Sequence, residues 1–270
     1  MIPMVQFRRF GLDQFLSMPY GSHGGPVVAG DADPQTASAL AQGFHSLGTG
    51  LRTMRFEMSV FRPSSSLETA LSRTLGKYFN DFRTHIVDLT PGVEVVWNSY
   101  RHGTRKCVRT AERAGVSVAV EDGREPLEIL YRFHLAQSRV WKGIHPHSLE
   151  ALRAIIEVFG PEAKIYVARQ DGRPLAACLF LYHRGREVHA WASGAVPEAR
   201  PARAFHFLIH TAIQDACRER FEVWHFGGSG GNQRVEFFKE SFAAKAFPVH
   251  RYFHMPGWAR RLRRKAAWDE

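Results

Sequence analysis

The segment from residue 227 to residue 242 joins a glycine-rich stretch to a lysine that stands among aromatic side chains. Lys239 lies in the sequence VEFFKESF on a predicted helix, directly after Phe238. A positive charge at such a place could stabilise an oxyanion that develops on a reacting carbonyl group. A lysine on the solvated face of an amphipathic helix is the alternative, and the pattern alone does not separate the two.

The glycine-rich stretch before that helix is a candidate anion site. It is predicted to follow a strand and to open a helix, and backbone N–H groups at a helix N-terminus bind anions. The spacing matches neither a P-loop nor a dinucleotide-binding loop. A flexible turn is the alternative, in which Ser229 or Asn232 only caps the helix. The candidate residues are Gly227, Gly228, Ser229 and Asn232.

A long helix with a basic face is predicted over residues 93–114. Apolar residues recur along it at three- and four-residue spacing, and Gly115 follows as a C-terminal cap. Arginines also recur at four-residue spacing, and guanidinium groups suit phosphate. A solvated face is the alternative, and Gly103 leaves room for two helices. The basic residues are Arg101, Arg105, Lys106, Arg109 and Arg113, of which Arg105, Lys106 and Arg109 are the predicted substrate contacts.

Two further places combine aromatic and polar residues. Trp141 and Lys142 fall in a polar loop between two predicted helices, where they could form the lip of a substrate pocket. A core tryptophan that closes the preceding helix is the alternative for Trp141. Trp191 and Ser193 stand on the last strand of a predicted three-strand meander and are candidate pocket residues. For these two residues, ordinary sheet packing is the alternative.

The composition limits the class of protein. The chain has 270 residues, with 36 Lys+Arg against 26 Asp+Glu, and hence a formal net charge of +10. A basic chain favours polyanionic partners, which are nucleic acid, an anionic membrane surface or phosphorylated small molecules. No apolar run reaches the ~18–20 residues of a membrane span, and the N-terminus lacks the features of a secretory signal.

The chain offers few residues for metals or disulfides. Three scattered cysteines exclude a disulfide framework. His145 and His147 share the loop that holds Trp141, but no third ligand stands at metal-binding spacing. We therefore expect neither a metal nor a cofactor.

The candidate residues must be positioned by an alternation of strands and helices. The first part of the chain is predicted to form strands, a helix, a strand, a helix and a strand. The second part is predicted to form a strand, two helices, a three-strand meander, a helix, a strand, a helix and a strand. This order predicts an α/β fold with a mixed sheet and helices on both faces.

The order of elements and three segments resemble the GNAT acyltransferase fold, and within it the Fem-type, or FemAB-like, acyltransferases. The segments are LSMPYGSHGGP at residues 16–26, residues 96–118 with Trp97 and then GTRKCVRTAERAGVSV, and residues 224–242 with HFGGSGGNQRVEFFKESF. The second segment is similar to the basic helix of the family. The third is similar to its closing signature, Phe-Gly-Gly-Ser followed by Phe-Lys-x-x-Phe.

The resemblance implies two GNAT-like units in tandem, the first incomplete, joined by the long basic helix. The expected bounds are 1–115 for the first unit, including the helix 93–114, then 116–255 for the second unit. Residues 256–270 are expected to form a basic C-terminal helix or tail. The short first unit is read either as a reduced GNAT unit or as the product of a misplaced start codon.

The resemblance further implies transfer of an acyl or aminoacyl group to an amine. Amide formation requires a neutral attacking amine and a positive charge or hydrogen-bond donors near the oxyanion. Fem-type enzymes take amino acids from aminoacyl-tRNA, and the lysine of their Phe-Lys pair lies at the active centre. Lys239 is thus the predicted catalytic residue, which stabilises the oxyanion or orients the donor ester. The expected acceptor is an amine of a peptide, an envelope precursor or a small metabolite.

The donor is aminoacyl-tRNA or acyl-CoA. Acetyl-CoA-dependent GNAT enzymes hold the pyrophosphate with a glycine-bearing loop, which has no counterpart in AVPEARPARAFHF at residues 195–207, and this favours aminoacyl-tRNA. A non-catalytic protein that binds RNA or anionic lipid is an alternative from a different class. The basic tail at residues 260–265 could contact the anionic inner face of the membrane peripherally. The prediction is a cytoplasmic N-acyltransferase.

Overall fold

The computed structural model describes residues 4–17, 24–26, 33–61, 63–76, 79–139, 146–183 and 185–259. Within these ranges the strands are β1 (Val5–Arg9), β2 (Leu12–Leu16), β3 (Thr53–Phe61), β4 (Phe79–Asp88), β5 (Ser117–Val120), β6 (Ala163–Gln170), β7 (Arg173–His183), β8 (Glu187–Ala195), β9 (Val223–Gly228) and β10 (Lys245–His254). The α-helices are α1 (Pro34–Gly48), α2 (Ser65–Leu75), α3 (Val93–Ser99), α4 (His102–Arg113), α5 (Arg124–Ser138), α6 (Leu149–Phe159), α7 (Ala199–Ala202), α8 (Ala204–Arg218) and α9 (Gln233–Ser241).

The chain divides into two compact units. Unit 1 comprises Met1–Arg83, Gly228–Gly231 and Phe247–Glu270, and unit 2 comprises Thr84–Gly227 and Asn232–Ala246. The predicted basic helix falls within unit 2, whereas the sequence suggested a connection between two units. The tandem arrangement of two GNAT-like units stays a prediction.

Unit 1 is a small sheet with two helices. β1 and β2 are antiparallel, β2 and β3 are parallel, and β3 and β10 are antiparallel. Side chains cap both helices: the Asp33 carboxylate accepts hydrogen bonds from the first turn of α1, and the Ser64 hydroxyl accepts one from Leu67 N in α2. The helices bury Phe44 and Leu71 against Phe56 of β3. The caps and this apolar core account for the fold of the unit.

Unit 2 contains the mixed sheet that the sequence predicts. Its strands follow the order β4, β9, β8, β7, β6 and β5. The pairs from β5 to β8 are antiparallel, and β8 and β9 are parallel. The meander turn at Asp171 and Gly172 has φ values of 49° and 75°, the left-handed pair that an Asp-Gly hairpin adopts.

Helices cover both faces of this sheet, as predicted. Ile165 and Val167 of β6 point into a core shared with α5 and α6. Their neighbours Tyr166 and Ala168 point into a second core shared with α8. This alternation is the period of two of a strand that is buried on both faces. Across the ranges given above, no helix combines the length and the apolar character that crossing a membrane requires.

The single long helix predicted over residues 93–114 is wrong, and two helices, α3 and α4, take its place. The backbone of Tyr100 and Arg101 is extended, with ψ of 146° and 144°. Tertiary hydrogen bonds replace the helical ones at this break: Arg101 N donates to Ser241 O at 2.9 Å. The Tyr100 ring is buried 5.0 Å from the ring of Phe242. The two-helix alternative that Gly103 suggested is the one that forms.

Candidate active site

The parallel strands β8 and β9 pair over a short stretch and then part. Their paired residues run from Glu187 opposite Val223 to His189 opposite His225, although both strands continue. Just beyond this stretch β8 has a bulge, in which Trp191 is the extra residue between two pairs with β7. A bulge ends regular pairing and redirects side chains. We call residues 190–195 of β8 with residues 226–227 of β9 the β8–β9 opening. It lies at the carboxyl ends of parallel strands, where ligands bind in many α/β proteins.

Lys239 of α9 reaches the β8–β9 opening. Its side chain is 6% exposed, and Nζ donates a hydrogen bond to Gly227 O at 2.9 Å. The strands are still adjacent here, since a Cβ on Gly227 would lie 3.9 Å from Ala190 O. The amine therefore sits at the end of β9, close to the point where the Trp191 bulge begins. Its burial excludes the solvated-lysine alternative.

Burial changes the acidity of this lysine. It lowers the pKa of the Lys239 ammonium from 10.5 to about 7, and the nearby Glu236 carboxylate offsets part of the lowering. An amine that is costly to bury and titrates near neutral pH is typical of a functional residue. At neutral pH the group can be present either as a cation or as a free amine.

The low pKa of Lys239 predicts how stability depends on pH. In the unfolded chain the amine has its ordinary pKa, so between about pH 7 and pH 10.5 the unfolded state binds more protons than the folded state. The free energy of unfolding of the wild type should therefore rise with pH across this window, relative to Lys239→Met. The rise should be on the order of 3–5 kcal/mol. Urea unfolding of both proteins at several pH values measures it, and two parallel curves would contradict a buried, low-pKa lysine.

The residues around the glycine-rich stretch have different surroundings. Asn232 is the N-cap of α9, since Oδ1 accepts from Arg234 N at 3.0 Å and from Val235 N at 3.4 Å. Gly227 has a φ of 71°, a conformation that favours glycine. Gly228 and Ser229 fall in unit 1. The Ser229 hydroxyl is buried and has no hydrogen-bond partner among the residues with described positions.

Phe238 is part of an aromatic cluster rather than a free surface residue. Its ring centroid lies 5.7 Å from that of Phe205, 5.1 Å from that of His206 and 5.2 Å from that of Phe242. Burial lowers the pKa of His206 to about 4, so its imidazole is neutral at physiological pH. The cluster packs α9, the helix that carries Lys239, against α8.

Trp191 begins a stack of three rings beside the bulge. Its ring lies 5.9 Å from the ring of His147, which lies 5.4 Å from the ring of His134. Nε2 of His134 accepts a hydrogen bond from His147 N, so Nδ1 carries the proton and donates to Ser193 O at 3.1 Å. Burial lowers the pKa of His147 to about 4 and also lowers the pKa of His134. Both imidazoles are therefore neutral near pH 7.

His134 was not among the residues predicted from the sequence. It lies on the buried face of α5, and the Ser193 carbonyl that it contacts is 59 residues away along the chain. No local spacing signals such a contact. Trp191 and Ser193, by contrast, do lie at the β8–β9 opening, where the sequence placed candidate pocket residues.

A second concave region lies on unit 2 at α3, α4 and α8. This cleft has a volume of about 300 Å³, and its lining includes Trp97, Arg109, His210, Glu94 and Glu112. The Arg109 guanidinium lies 5.8 Å from the centre of the Trp97 ring, and that ring lies 4.6 Å from His210. Among the predicted basic contacts, Arg109 thus borders a cavity.

The other basic residues of the predicted face point to different partners. Arg105 Nη1 donates to the carbonyl oxygens of Asn98 and Tyr100, both at 2.7 Å, and so caps the end of α3. Arg101 pairs with Glu240 at 3.4 Å, and Lys106 is exposed. Arg105, Arg109 and Arg113 keep their four-residue spacing on α4, but the basic side chains differ in what they contact.

Arg105 and Arg109 should therefore respond differently to truncation. Arg105→Ala removes two hydrogen bonds from the end of α3 and should lower the free energy of unfolding by about 1–2 kcal/mol. Arg109→Ala should leave stability within about 0.5 kcal/mol and weaken the binding of a polyanionic donor, with a shallower dependence on salt. Chemical unfolding and filter binding at several salt concentrations measure the two effects. A loss of stability in Arg109→Ala together with unchanged stability in Arg105→Ala would contradict the hydrogen bonds described for Arg105.

Some predicted residues lie outside the described ranges. Trp141 and Lys142, the basic residues 260–265 and most of the segment 16–26 belong to this group, so a lip at the pocket and contact with an anionic membrane stay predictions. Where side-chain positions are described, no cluster of three or more His, Cys, Asp or Glu residues could hold a metal ion.

The comparison with family models identifies the class of protein. Residues 98–240 match the family described as an acetyltransferase (GNAT) domain, which is more than half of the chain. The chain therefore belongs to this family, and the protein is an acyltransferase of the GNAT fold. No curated protein sequence matches the chain.

Solved structures show the same fold at low sequence identity. FemX superimposes with a TM-score of 0.72 and 12% identity, covering 97% of this chain and 85% of that chain. The C-terminal domain of a putative lysylphosphatidylglycerol synthetase from Agrobacterium fabrum superimposes with a TM-score of 0.67 and 14% identity, covering 98% of this chain and 84% of that chain. L-PGS from Bacillus licheniformis superimposes with a TM-score of 0.61 and 15% identity, covering 93% of this chain and 80% of that chain. The resemblance to Fem-type acyltransferases is thus confirmed at the level of the fold.

Proposed function

We propose that this protein transfers an aminoacyl group from aminoacyl-tRNA to an amine, with the reaction at the β8–β9 opening. The observation that carries the proposal is the buried Lys239 at the end of β9, beside the Trp191 bulge. It matches the lysine of the closing Fem-type signature residue for residue. The fold likeness to a putative lysylphosphatidylglycerol synthetase supports an aminoacyl donor, because the product in that name is a lipid that carries an amino acid.

The reaction needs only a few groups. The lone pair of the neutral acceptor amine forms a bond to the carbonyl carbon of the donor ester, and negative charge moves to the carbonyl oxygen. Collapse of this intermediate breaks the bond between that carbon and the ribose oxygen of the tRNA. The attacking nitrogen loses one proton and the ribose oxygen gains one, so that an amide and a free hydroxyl result. The Lys239 ammonium stabilises the oxyanion or orients the ester.

Residues near the opening have proposed roles in binding. Trp191 and Ser193 are proposed to contact the acceptor, and the buried ring of His147 stacks on Trp191 and supports it. Phe238 packs against Phe205 and His206 of α8 and is proposed to hold in place the helix that carries Lys239. Gly227 accepts the Lys239 hydrogen bond. Trp141 and Lys142 keep their proposed place at the lip of the pocket.

The polyanionic part of the donor is proposed to meet the basic residues of α4. Arg109 and Lys106 are exposed and carry positive charge. The Arg105 guanidinium already donates hydrogen bonds to two backbone carbonyls. Its main proposed role is therefore to stabilise the α3–α4 junction, and phosphate binding is secondary. The glycines at 227 and 228, with Ser229 and Asn232, remain the proposed anion-binding stretch.

An acyl-CoA donor is the second candidate, favoured by the start of α8. This helix begins at Ala204 after Arg203, which has a φ of 55°, and no side chain caps it. An uncapped helix N-terminus offers N–H groups to a phosphate. The family is also described as an acetyltransferase domain. The missing glycines in residues 195–207 argue against this donor.

A donor assay separates the candidates. The protein is incubated with aminoacyl-tRNA labelled in its amino acid, or with labelled acetyl-CoA, together with a lysine-containing peptide, phosphatidylglycerol vesicles carrying an amine lipid, or a small amine. We expect a labelled amide from aminoacyl-tRNA and none from acetyl-CoA. Amide formation from acetyl-CoA alone would establish the second candidate. Binding of tRNA without consumption of either donor would indicate the non-catalytic alternative.

A further inference from the structure

We propose that His225 is a positioning residue that fixes Gly227 and, through it, the place of Lys239. Nδ1 of His225 accepts a hydrogen bond from Gly227 N at 3.1 Å. The carbonyl oxygen of the same residue, Gly227, accepts the hydrogen bond from Lys239 Nζ at 2.9 Å. The N–H group of Gly227 is thus bonded to the His225 imidazole, and its carbonyl group is bonded to the Lys239 ammonium. This inference rests on the role proposed for Lys239.

His225 is itself held in one orientation. Its side chain is buried, at 2% exposed, and Nε2 lies 3.2 Å from the hydroxyl of Thr84, which is fully buried. Because Nδ1 accepts from a backbone N–H, the proton of the neutral ring is on Nε2, which donates to Thr84 Oγ1. The ring of His189 stacks on His225 with centroids 4.5 Å apart and an angle of 19° between the planes. These contacts leave the imidazole little freedom to turn.

The hydrogen bond to His225 restricts the backbone conformation of Gly227. This residue has a φ of 71°, and a glycine at that angle has no side chain to anchor it. It lies two residues beyond His225, the last residue of β9 that pairs with β8. If the hydrogen bond to His225 is lost, the Gly227 carbonyl is free to turn away from Lys239. The ammonium then loses a partner that stabilises its charged form.

The test reads the pKa of Lys239 directly. The sequence contains seven lysines, so a protein labelled with ¹³C at the lysine ε-carbon gives few NMR signals, and Lys239→Met identifies the one that titrates near neutral pH. His225→Phe keeps the ring but removes the acceptor. His225→Asn places an amide oxygen close to the position of Nδ1. His189→Phe is the matched control, because it changes the stacked neighbour and leaves the hydrogen bond to Gly227 in place.

In His225→Phe the pKa of Lys239 should fall by about half a unit or more, and exchange of the Gly227 amide proton should accelerate by about tenfold or more. His225→Asn should restore both values to near those of the wild type, and His189→Phe should leave both unchanged. If His225→Phe does not fold, Thr84→Val, which releases only Nε2, should move both readouts in the same direction by a smaller amount.

An unchanged or raised pKa of Lys239 in a folded His225→Phe protein would overturn the inference. So would an equal effect in His189→Phe, because the change would then reflect general loosening of the core. The readout requires no donor or acceptor. It therefore stays separate from the proposed function, which fails if Lys239→Met retains full transfer.

Discussion

Lys239→Met should lower the rate of acyl transfer by on the order of 10²–10³-fold while it raises the stability of the fold. The rate falls because the oxyanion, or the donor ester, loses the ammonium that lies at the end of β9. Stability rises because methionine fills a similar volume and does not require a buried ammonium. Steady-state kinetics and urea unfolding at pH 6–7 on the same preparation measure both effects.

The control for this prediction is Lys245→Met. Lys245 is an exposed lysine at the start of β10 within the same unit, and its replacement removes the same formal charge from the protein. It should leave both rate and stability close to the wild-type values. A Lys239→Met protein with full activity would remove Lys239 from the mechanism. A Lys239→Met protein that is both inactive and less stable would show a structural role for the amine.

Gly194→Ala should cost on the order of 3 kcal/mol or more of stability, the largest effect expected for so small a change. A Cβ on Gly194 would lie 2.3 Å from the carbonyl carbon of Phe133 and 2.5 Å from His134 N. These are backbone atoms of α5, so they cannot move aside by changing rotamer. The substitution must push α5 away from β8, and with it the His134 ring that bonds to Ser193 O.

The matched control is Gly103→Ala in α4. A Cβ on Gly103 would meet nothing within 4 Å, and alanine is the better helix former. It should raise the free energy of unfolding by about 0.5–1 kcal/mol. Thermal or urea unfolding compares the two substitutions under the same conditions. A Gly194→Ala protein as stable as the wild type would contradict the close contact between α5 and β8.

Much of the fold follows from local pattern. The predicted meander is present as β6, β7 and β8, and the other strands and helices of the second part of the chain follow in the predicted order. Period-two and period-3.6 patterns depend on neighbouring residues, so a single sequence contains the information. The helix break at Tyr100 is different. It arises from hydrogen bonds to the end of α9 and from burial of an aromatic ring, which local spacing cannot express.

The residues of the candidate site likewise divide into those that the sequence predicted and those that it did not. The sequence selected Lys239, Trp191 and Ser193, because the motif and strand position mark them. It missed His225 and His134, which act through contacts made by folding. Sequence reasoning treated all the arginines of the basic segment as one face. The structure separates Arg105, bonded to backbone carbonyls, from Arg109 at the cleft, although both lie on α4.

The most direct test of the account is a single-turnover reaction with enzyme in excess over aminoacyl-tRNA that carries a labelled amino acid. With an acceptor amine present, the wild type should move the label from tRNA into an acid-stable, base-stable amide, and Lys239→Met should leave it on the tRNA. Label that stays on tRNA in both reactions, while acetyl-CoA yields an amide under the same conditions, would contradict the proposed donor. Equal transfer by both proteins would contradict the proposed site.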